Sequence, residues 1–250
     1  MTIIKTVEVD ETKIEFVVQF VDVHTPSVEW VDGMQKPFQT VTKLTRGYLG
    51  EFSNVDRTPE EIELAFKDLN STQLRTPFEM IYNVFLFTDF TRSFTHQLVR
   101  KRLASYVQES MRFIGHKKLY KVIVGSRIKE DPEASKMYID SCVDHIVTYE
   151  SLMDRGISGE EARDILPHGI LTSVFVGIPL NSLQGMYSQR MCCQAQPGQW
   201  QNAMRQVKDQ LVIHYGESAK LLLSAPYERG EPCGYRASFD RPCTWQKNDK

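Results

Sequence analysis

The sequence predicts an α+β fold, a mixed or antiparallel sheet flanked by helices. Three observations carry that prediction. Residues 3–23 alternate apolar and polar positions in the manner of half-buried strands. Several later stretches repeat apolar residues at helical spacing behind recognisable start signals. No internal repeat, low-complexity segment or linker divides the chain.

The elements follow in order. Val7 and Val9, then Ile14, Phe16, Val18 and Phe20, with "DETK" between, read as strand, turn and strand. "RTPEEIELAFKDLN" opens a helix with Thr58 as N-cap, Pro59 at the first helical position and Glu61 closing a capping box; it ends near Asn70. "PFEMIYNVFLF", residues 77–87, lacks helical periodicity and reads as a buried strand. "FTRSFTHQLVRKRLASY" repeats apolar residues at Phe90, Phe94 and Leu98, predicting a helix with a basic motif at its C-terminal end. Residues 130–155 place Ile139, Cys142, Val143, Ile146, Tyr149 and Met153 on one helical face. "ISGEEARDILP" carries a second capping box, Ser158 with Glu161, and Pro167 stops its helix. "PGQWQNAMRQVKDQLVIHYGESAKLLLSA" reads as a long amphipathic helix from Pro197 to near Pro226. The expected organisation is one domain over residues 1–225 and a cysteine-containing tail over 226–250.

Composition narrows the function. The 250 residues are 41% hydrophobic and 25% charged, enough for a sizeable core. A net charge of −2 gives the whole molecule no electrostatic case for a nucleic acid polymer or an acidic membrane, so any anion site must be local. No apolar run approaches about 18 residues, and the N-terminus carries no signal-type segment. A cytoplasmic protein is expected, in the host's cytoplasm if the chain is viral. Five cysteines, two of them adjacent (Cys192, Cys193), argue for reduced thiols over a disulfide framework.

The local anion site is sought in "LVRKRLASYVQESMRFIG", residues 98–115, where Arg100, Lys101, Arg102, Ser105, Ser110 and Arg112 gather. Arginine presents a planar, permanently charged fork that matches phosphate oxygens in pairs. Ser110 and Arg112, close to Gly115, suit a loop closing on one phosphate. Arg100 and Arg102 would leave a helix end on different sides, which implies two anionic ligands or two parts of one large ligand. A solvated basic face is the competing reading. Against it, Leu103, Ala104, Tyr106, Phe113 and Ile114 interleave with the charges and imply burial. His96 reads as a packing residue.

"THQLVRKRLASYVQESMRF" resembles the signature of the flavin-dependent thymidylate synthases. "TPFE" (Thr76–Glu79), "ARDILP" (Ala162–Pro167) and "TSVFVGIPLNSLQGMYSQRMCCQAQ" (Thr172–Gln196) resemble three further family segments in the same order. The resemblance implies the thymidylate-synthase-complementing-protein-like fold and reductive C5 methylation of deoxyuridylate (dUMP) to dTMP. It implies FAD, with NADPH and methylenetetrahydrofolate as co-substrates, and sites shared between subunits of a homotetramer. By the same resemblance Gln97, Arg100, Gln108, Ser110, Arg112 and Arg163 fall on the nucleotide, with Ser110 and Arg112 on its phosphate. Arg190 falls against the uracil ring as the catalytic cation. Thr76, Glu79, Arg100, Lys101, Arg102 and Asn181 fall on the flavin. Taken alone, Arg190 and Arg163 also read as ordinary helix arginines.

The chain departs from the family pattern on the flavin and folate side. Lys101 replaces the middle histidine of Arg-His-Arg, and Pro179 and Gly185 stand where the family commonly has asparagine, or histidine at the second. The alternatives are therefore an enzyme of the same fold that methylates or hydroxymethylates another pyrimidine nucleotide such as UMP, or a catalytically silent nucleotide-binding homologue. Other signals are weaker. Cys192, Cys193, Cys233 and Cys243 fit zinc spacing poorly, and no metal is expected. Cys243 in "RPCTW" is similar to the Pro-Cys of the folate-only thymidylate synthases, without their other motifs. No Gly-x-Gly-x-x-Gly is present, so no Rossmann-type dinucleotide site is expected.

Overall fold

The computed structural model describes residues 1–9, 12–71, 76–192 and 198–230. Its chain begins with strands β1 (Thr2–Val9), β2 (Thr12–Val21) and β3 (Ser27–Gly33) and helices α1 (Pro37–Gly47), α2 (Pro59–Ser71) and α3 (Thr76–Glu79). Strand β4 (Tyr82–Thr91), helix α4 (Arg92–Leu98) and strands β5 (Ser105–Gln108) and β6 (Leu119–Ile123) follow. Next come helices α5 (Ser126–Glu130), α6 (Pro132–Asp154) and α7 (Gly159–Ala162), strand β7 (Leu171–Pro179), and helices α8 (Leu180–Arg190) and α9 (Gln199–Tyr215). The strands form two sheets, β1-β2-β6 and β3-β4-β7-β5, in the expected α+β class. Among the described residues no helix is long and apolar enough to cross a membrane.

The chain divides into two compact units whose segments interleave in sequence. The first holds Met1–Ser27, Phe87–Arg100 and Val107–Val174; the second holds Val28–Leu86, Lys101–Tyr106 and the chain from Phe175 onward.

In the first unit β2 pairs antiparallel with β1 and parallel with β6. The alternation along β2 buries Phe16, Val18 and Phe20, and β6 adds Tyr120 and Val122. These pack in one cluster with Cys142, Val143, Ile146 and Tyr149, the predicted face of α6. Each large side chain so buried contributes about 1.5–3 kcal/mol. Within this apolar setting lies one buried acid, Glu150. Its carboxylate accepts from the Tyr120 hydroxyl and from Lys118 Nζ. Burial, then that hydrogen bond, holds the Tyr120 phenol well above its usual range.

In the second unit α2 opens as predicted: Thr58 N donates to Glu61 Oε2 at 2.9 Å, and Glu61 N donates to Thr58 Oγ1 at 3.3 Å. Phe38, Phe66 and Phe78 follow one another at ring separations of 4.9 and 5.9 Å, linking α1, α2 and α3. Helix α9 buries Trp200, Ala203, Met204, Val207 and Leu211 along one stripe.

Local pattern and structure part at several places. The strand expected over 77–87 starts only at Tyr82, because Pro77 suits the first turn of a helix and α3 buries Pro77 and Phe78. Helix α4 stops at Leu98, so Arg100, Lys101 and Arg102 stand in a turn, and Ser105–Gln108 is a strand. Pairing with a sheet edge supplies what local periodicity does not record; Glu109 N, just past β5, donates to Ser173 O at 3.0 Å. Leu103 and Phe113, expected inside, are 65% and 61% exposed, whereas Ile114 is buried. The long C-terminal helix ends at Tyr215, where Gly216 takes φ 83°, and Glu217–Leu221 forms a 3-10 turn. Its expected start at Pro197 lies outside the described residues, as does the tip of the first hairpin.

Candidate functional site

The first unit holds the expected nucleotide contacts, Arg190 apart. Thr91 caps α4, its Oγ1 accepting from Phe94 N at 3.1 Å. Phe94, Thr95 and Leu98 turn inward, leaving Arg92 and His96 together one turn apart on another face. Gln97 is half-buried, and Arg100 is exposed in the turn beyond the helix. Gln108 Nε2 donates to Thr95 Oγ1 at 2.8 Å, pinning β5 to α4. Ser110 caps the 3-10 turn Met111–Lys117, its Oγ accepting from Arg112 N at 3.4 Å.

Arg112 and Arg163, far apart in sequence, meet at one carboxylate. Glu160 Oε1 accepts from Arg112 Nη2 and lies 3.8 Å from Arg163 Nη2. Gly159 permits the approach, since a Cβ there would fall 2.6 Å from the Arg112 carbonyl oxygen. Gly159→Ala is therefore expected to cost about 1–3 kcal/mol through overpacking. By pushing α7 away from Arg112 it should also weaken nucleotide binding. Thermal unfolding and an equilibrium titration with dUMP test the two effects separately.

Arg163 also lines a cavity of about 330 Å³ together with Arg92, His96, Asp164 and His168. The His96 and His168 rings lie 5.4 Å apart and nearly perpendicular. Desolvation, then Arg92 and His168, holds the His96 imidazole below its usual value. Desolvation and Arg163 lower the Arg92 guanidinium, with Glu109 partly offsetting them. His96 is thus a cavity residue and not the packing residue its sequence position suggests. Arg92, Glu160 and His168 carry no sequence-level assignment; the i, i+4 spacing of Arg92 and His96 behind a cap is the signal that pairs them.

The second unit holds the expected flavin contacts except Arg100. Thr76 and Glu79 lie on α3, and Asn181 Nδ2 at the start of α8 donates to Glu79 Oε1 at 3.0 Å. Arg102 is exposed. Lys101 and Gly185, two of the departures from the family pattern, meet: a Cβ at residue 185 would lie 3.2 Å from Lys101 Nζ. The half-buried ammonium has no hydrogen-bond acceptor or ion-pair partner among the described residues, and desolvation lowers its pKa. Tyr106, whose hydroxyl donates to the Lys101 carbonyl at 2.9 Å, has its phenol pushed up to about 12 by burial and then Tyr82.

Asn181 and Gly185 line a cavity of about 790 Å³ with Lys208, Lys220 and Arg229. Ligand sites run from about 300 to 1,000 Å³. The larger cavity has room for a cofactor-sized group, and the 330 Å³ cavity has room for a much smaller one. A desolvated ammonium lying against Gly185 of that larger cavity fits an electron-rich ring such as a reduced flavin. Arg190 ends α8 with its guanidinium carbon 4.3 Å from the centroid of the buried Trp200 ring. That stack fixes the plane of a positive charge. Cys142 and Cys192 are free thiols, and the described residues contain no cluster of metal-ligating side chains. Cys193, Cys233 and Cys243 lie outside the described residues.

Residues 29–211 match the family described as thymidylate synthase complementing protein. The chain belongs to that family. Among its relatives in the family is the flavin-dependent thymidylate synthase of Saccharolobus solfataricus, 29% identical over 172 residues, or 68% of this chain and 65% of that protein. The flavin-dependent thymidylate synthase of Pyrococcus furiosus is 29% identical over 176 residues, 68% of this chain and 72% of its own. The match thus spans about two thirds of these relatives. The same fold occurs in the UMP/dUMP methylase PolB from Streptomyces cacaoi bound with 5-Br dUMP, with TM-score 0.70 and 17% identity over 82% of this chain and 97% of that one. It also occurs in ThyX from Helicobacter pylori with FAD and dUMP, with TM-score 0.62 and 18% identity over 78% and 98%.

Proposed function

We propose that the protein is a flavin-dependent thymidylate synthase. It joins the methylene carbon of methylenetetrahydrofolate to C5 of dUMP, and reducing equivalents from NADPH complete the methyl group, leaving dTMP, tetrahydrofolate and NADP+. One observation carries the reading: in a chain of this family, the two arginines expected on the nucleotide, Arg112 and Arg163, converge beside Ser110. Glu160 holds both guanidiniums in place and leaves their outer edges for a phosphate. Arg190, its plane set by Trp200, stabilises negative charge on the uracil ring as C5 becomes nucleophilic. FAD, when bound, supplies the redox chemistry. Lys101, with Thr76, Glu79, Arg100, Arg102 and Asn181, holds the flavin.

The assembly belongs to the same proposal. Leu103, Val107 and Phe113, 65%, 71% and 61% exposed, are apolar surface of the kind that a homotetramer with shared sites covers. A solution mass four times 28.9 kDa is the expected measurement. The proposed compartment is the cytoplasm, where these thiols stay reduced.

The purified protein should be yellow and should release tritium from position 5 of dUMP when folate donor and NADPH are present. Release from UMP or dCMP with none from dUMP would move the reading to another pyrimidine methylase of this fold. A colourless protein that does not take up added FAD would end it.

A further inference from the structure

We propose that the cavity framed by Arg92, His96, Arg163 and His168 is an oxyanion pocket for a phosphate group, with Arg92 a binding residue in its own right. Only the identity of the molecule carrying that phosphate rests on the function proposed above.

The argument begins with charge. Two guanidiniums and two imidazoles share this wall with one carboxylate, Asp164. Its formal charge is therefore +1 with both imidazoles neutral and +3 with both protonated. Arg92 is half-buried, has no salt-bridge partner among the described residues, and feels Arg163 as a like charge. Like charges partly withdrawn from water are costly unless an anion completes them. Arg163 adds little relief of its own, because its nearest carboxylate, at 3.8 Å, is the one already bonded to Arg112.

Shape and chemistry agree. At about 330 Å³ the cavity takes a phosphate and part of its bearer, not a flavin. Guanidinium forks suit the edges of a tetrahedral dianion. Each neutral imidazole offers one N–H donor, and protonation adds a second. The groups facing His96 that bear on its charge are Arg92, Arg163, Asp164 and His168. A bound dianion opposes the effect of the two arginines, so His96 takes up a proton as the anion binds. Affinity for an anion with no titration of its own therefore rises as pH falls.

The test is a calorimetric titration of the full chain with inorganic phosphate. Arg92→Met should weaken binding at least about tenfold, the scale of a lost charge-assisted pair. Lys136→Met, an exposed lysine paired with Asp140, should leave it within about twofold. If Arg92→Met fails to fold, His168→Asn and Arg92→Lys read the same loss. Sulfate should bind more tightly at pH 6 than at pH 8 in the wild type and lose that dependence in His96→Asn. Repeating the phosphate titration with saturating dUMP identifies the bearer. Loss of the phosphate signal assigns the pocket to the nucleotide's own phosphate, and its persistence assigns it to a second phosphorylated molecule. A wild type that binds no phosphate, or a folded Arg92→Met that binds it unchanged, overturns the pocket. A chain that binds phosphate through Arg92 but no dUMP keeps the pocket and overturns the function proposed above.

Discussion

Arg190→Ala is expected to lower turnover of dUMP by about 100- to 1,000-fold, the scale on which a single preorganised charge stabiliser acts. The protein should still fold. The guanidinium sits 4.3 Å from the Trp200 centroid, so the substitution also removes a stacking contact worth about 0.5–2 kcal/mol. A modest drop in unfolding temperature should therefore accompany the kinetic loss without accounting for it. Arg190→Lys separates charge from plane: it keeps the cation, loses the stacked fork, and should recover part of the rate. The decisive measurement is kcat at saturating dUMP beside a dUMP dissociation constant. A role confined to binding would raise the dissociation constant and leave kcat alone. Turnover within a few-fold of wild type in folded Arg190→Ala would remove Arg190 from the chemistry.

Glu150→Ala should produce the largest stability loss, about 2–4 kcal/mol. It leaves the Tyr120 hydroxyl in the core without its acceptor and opens a void beside it. Lys118, 44% exposed, turns to water and contributes little to the cost. For a chain of this size the unfolding midpoint should fall by about 4–16 °C. Glu150→Gln, which keeps an acceptor oxygen, should lose less. Combining Glu150→Leu with Tyr120→Phe should recover much of the loss, because no buried polar group is then left unpaired. A double variant as unstable as Glu150→Ala would show that the cost lies in shape and not in hydrogen bonding.

Much of the fold was legible because its signals are local. The Thr58–Glu61 capping box formed as the sequence predicts, and Ser158 Oγ accepts from Glu161 N at 3.4 Å at the start of α7. The alternation of Phe16, Val18 and Phe20 and the apolar stripe of α6 both turned inward. The basic motif was legible as chemistry but not as shape. Its helix stops at Leu98 because the following residues pair with a sheet strand contributed from more than sixty positions downstream, and periodicity within a window does not carry that contact. Arg92 and His168 escaped notice for a related reason. Each is unremarkable beside its sequence neighbours, and their shared cavity exists only once α4 and the segment after α7 are packed.

The sequence by itself determined which residues can serve an anion, where capped helices begin, and which family the chain resembles, because residue chemistry and short-range spacing are properties of the linear chain. Tertiary structure alone decided that Arg112 and Arg163 share Glu160, that Lys101 lies against Gly185, and that Arg190 stacks on Trp200. Each of those pairings joins residues brought together by packing, and the strength of a charge there depends on its neighbours and its distance from water.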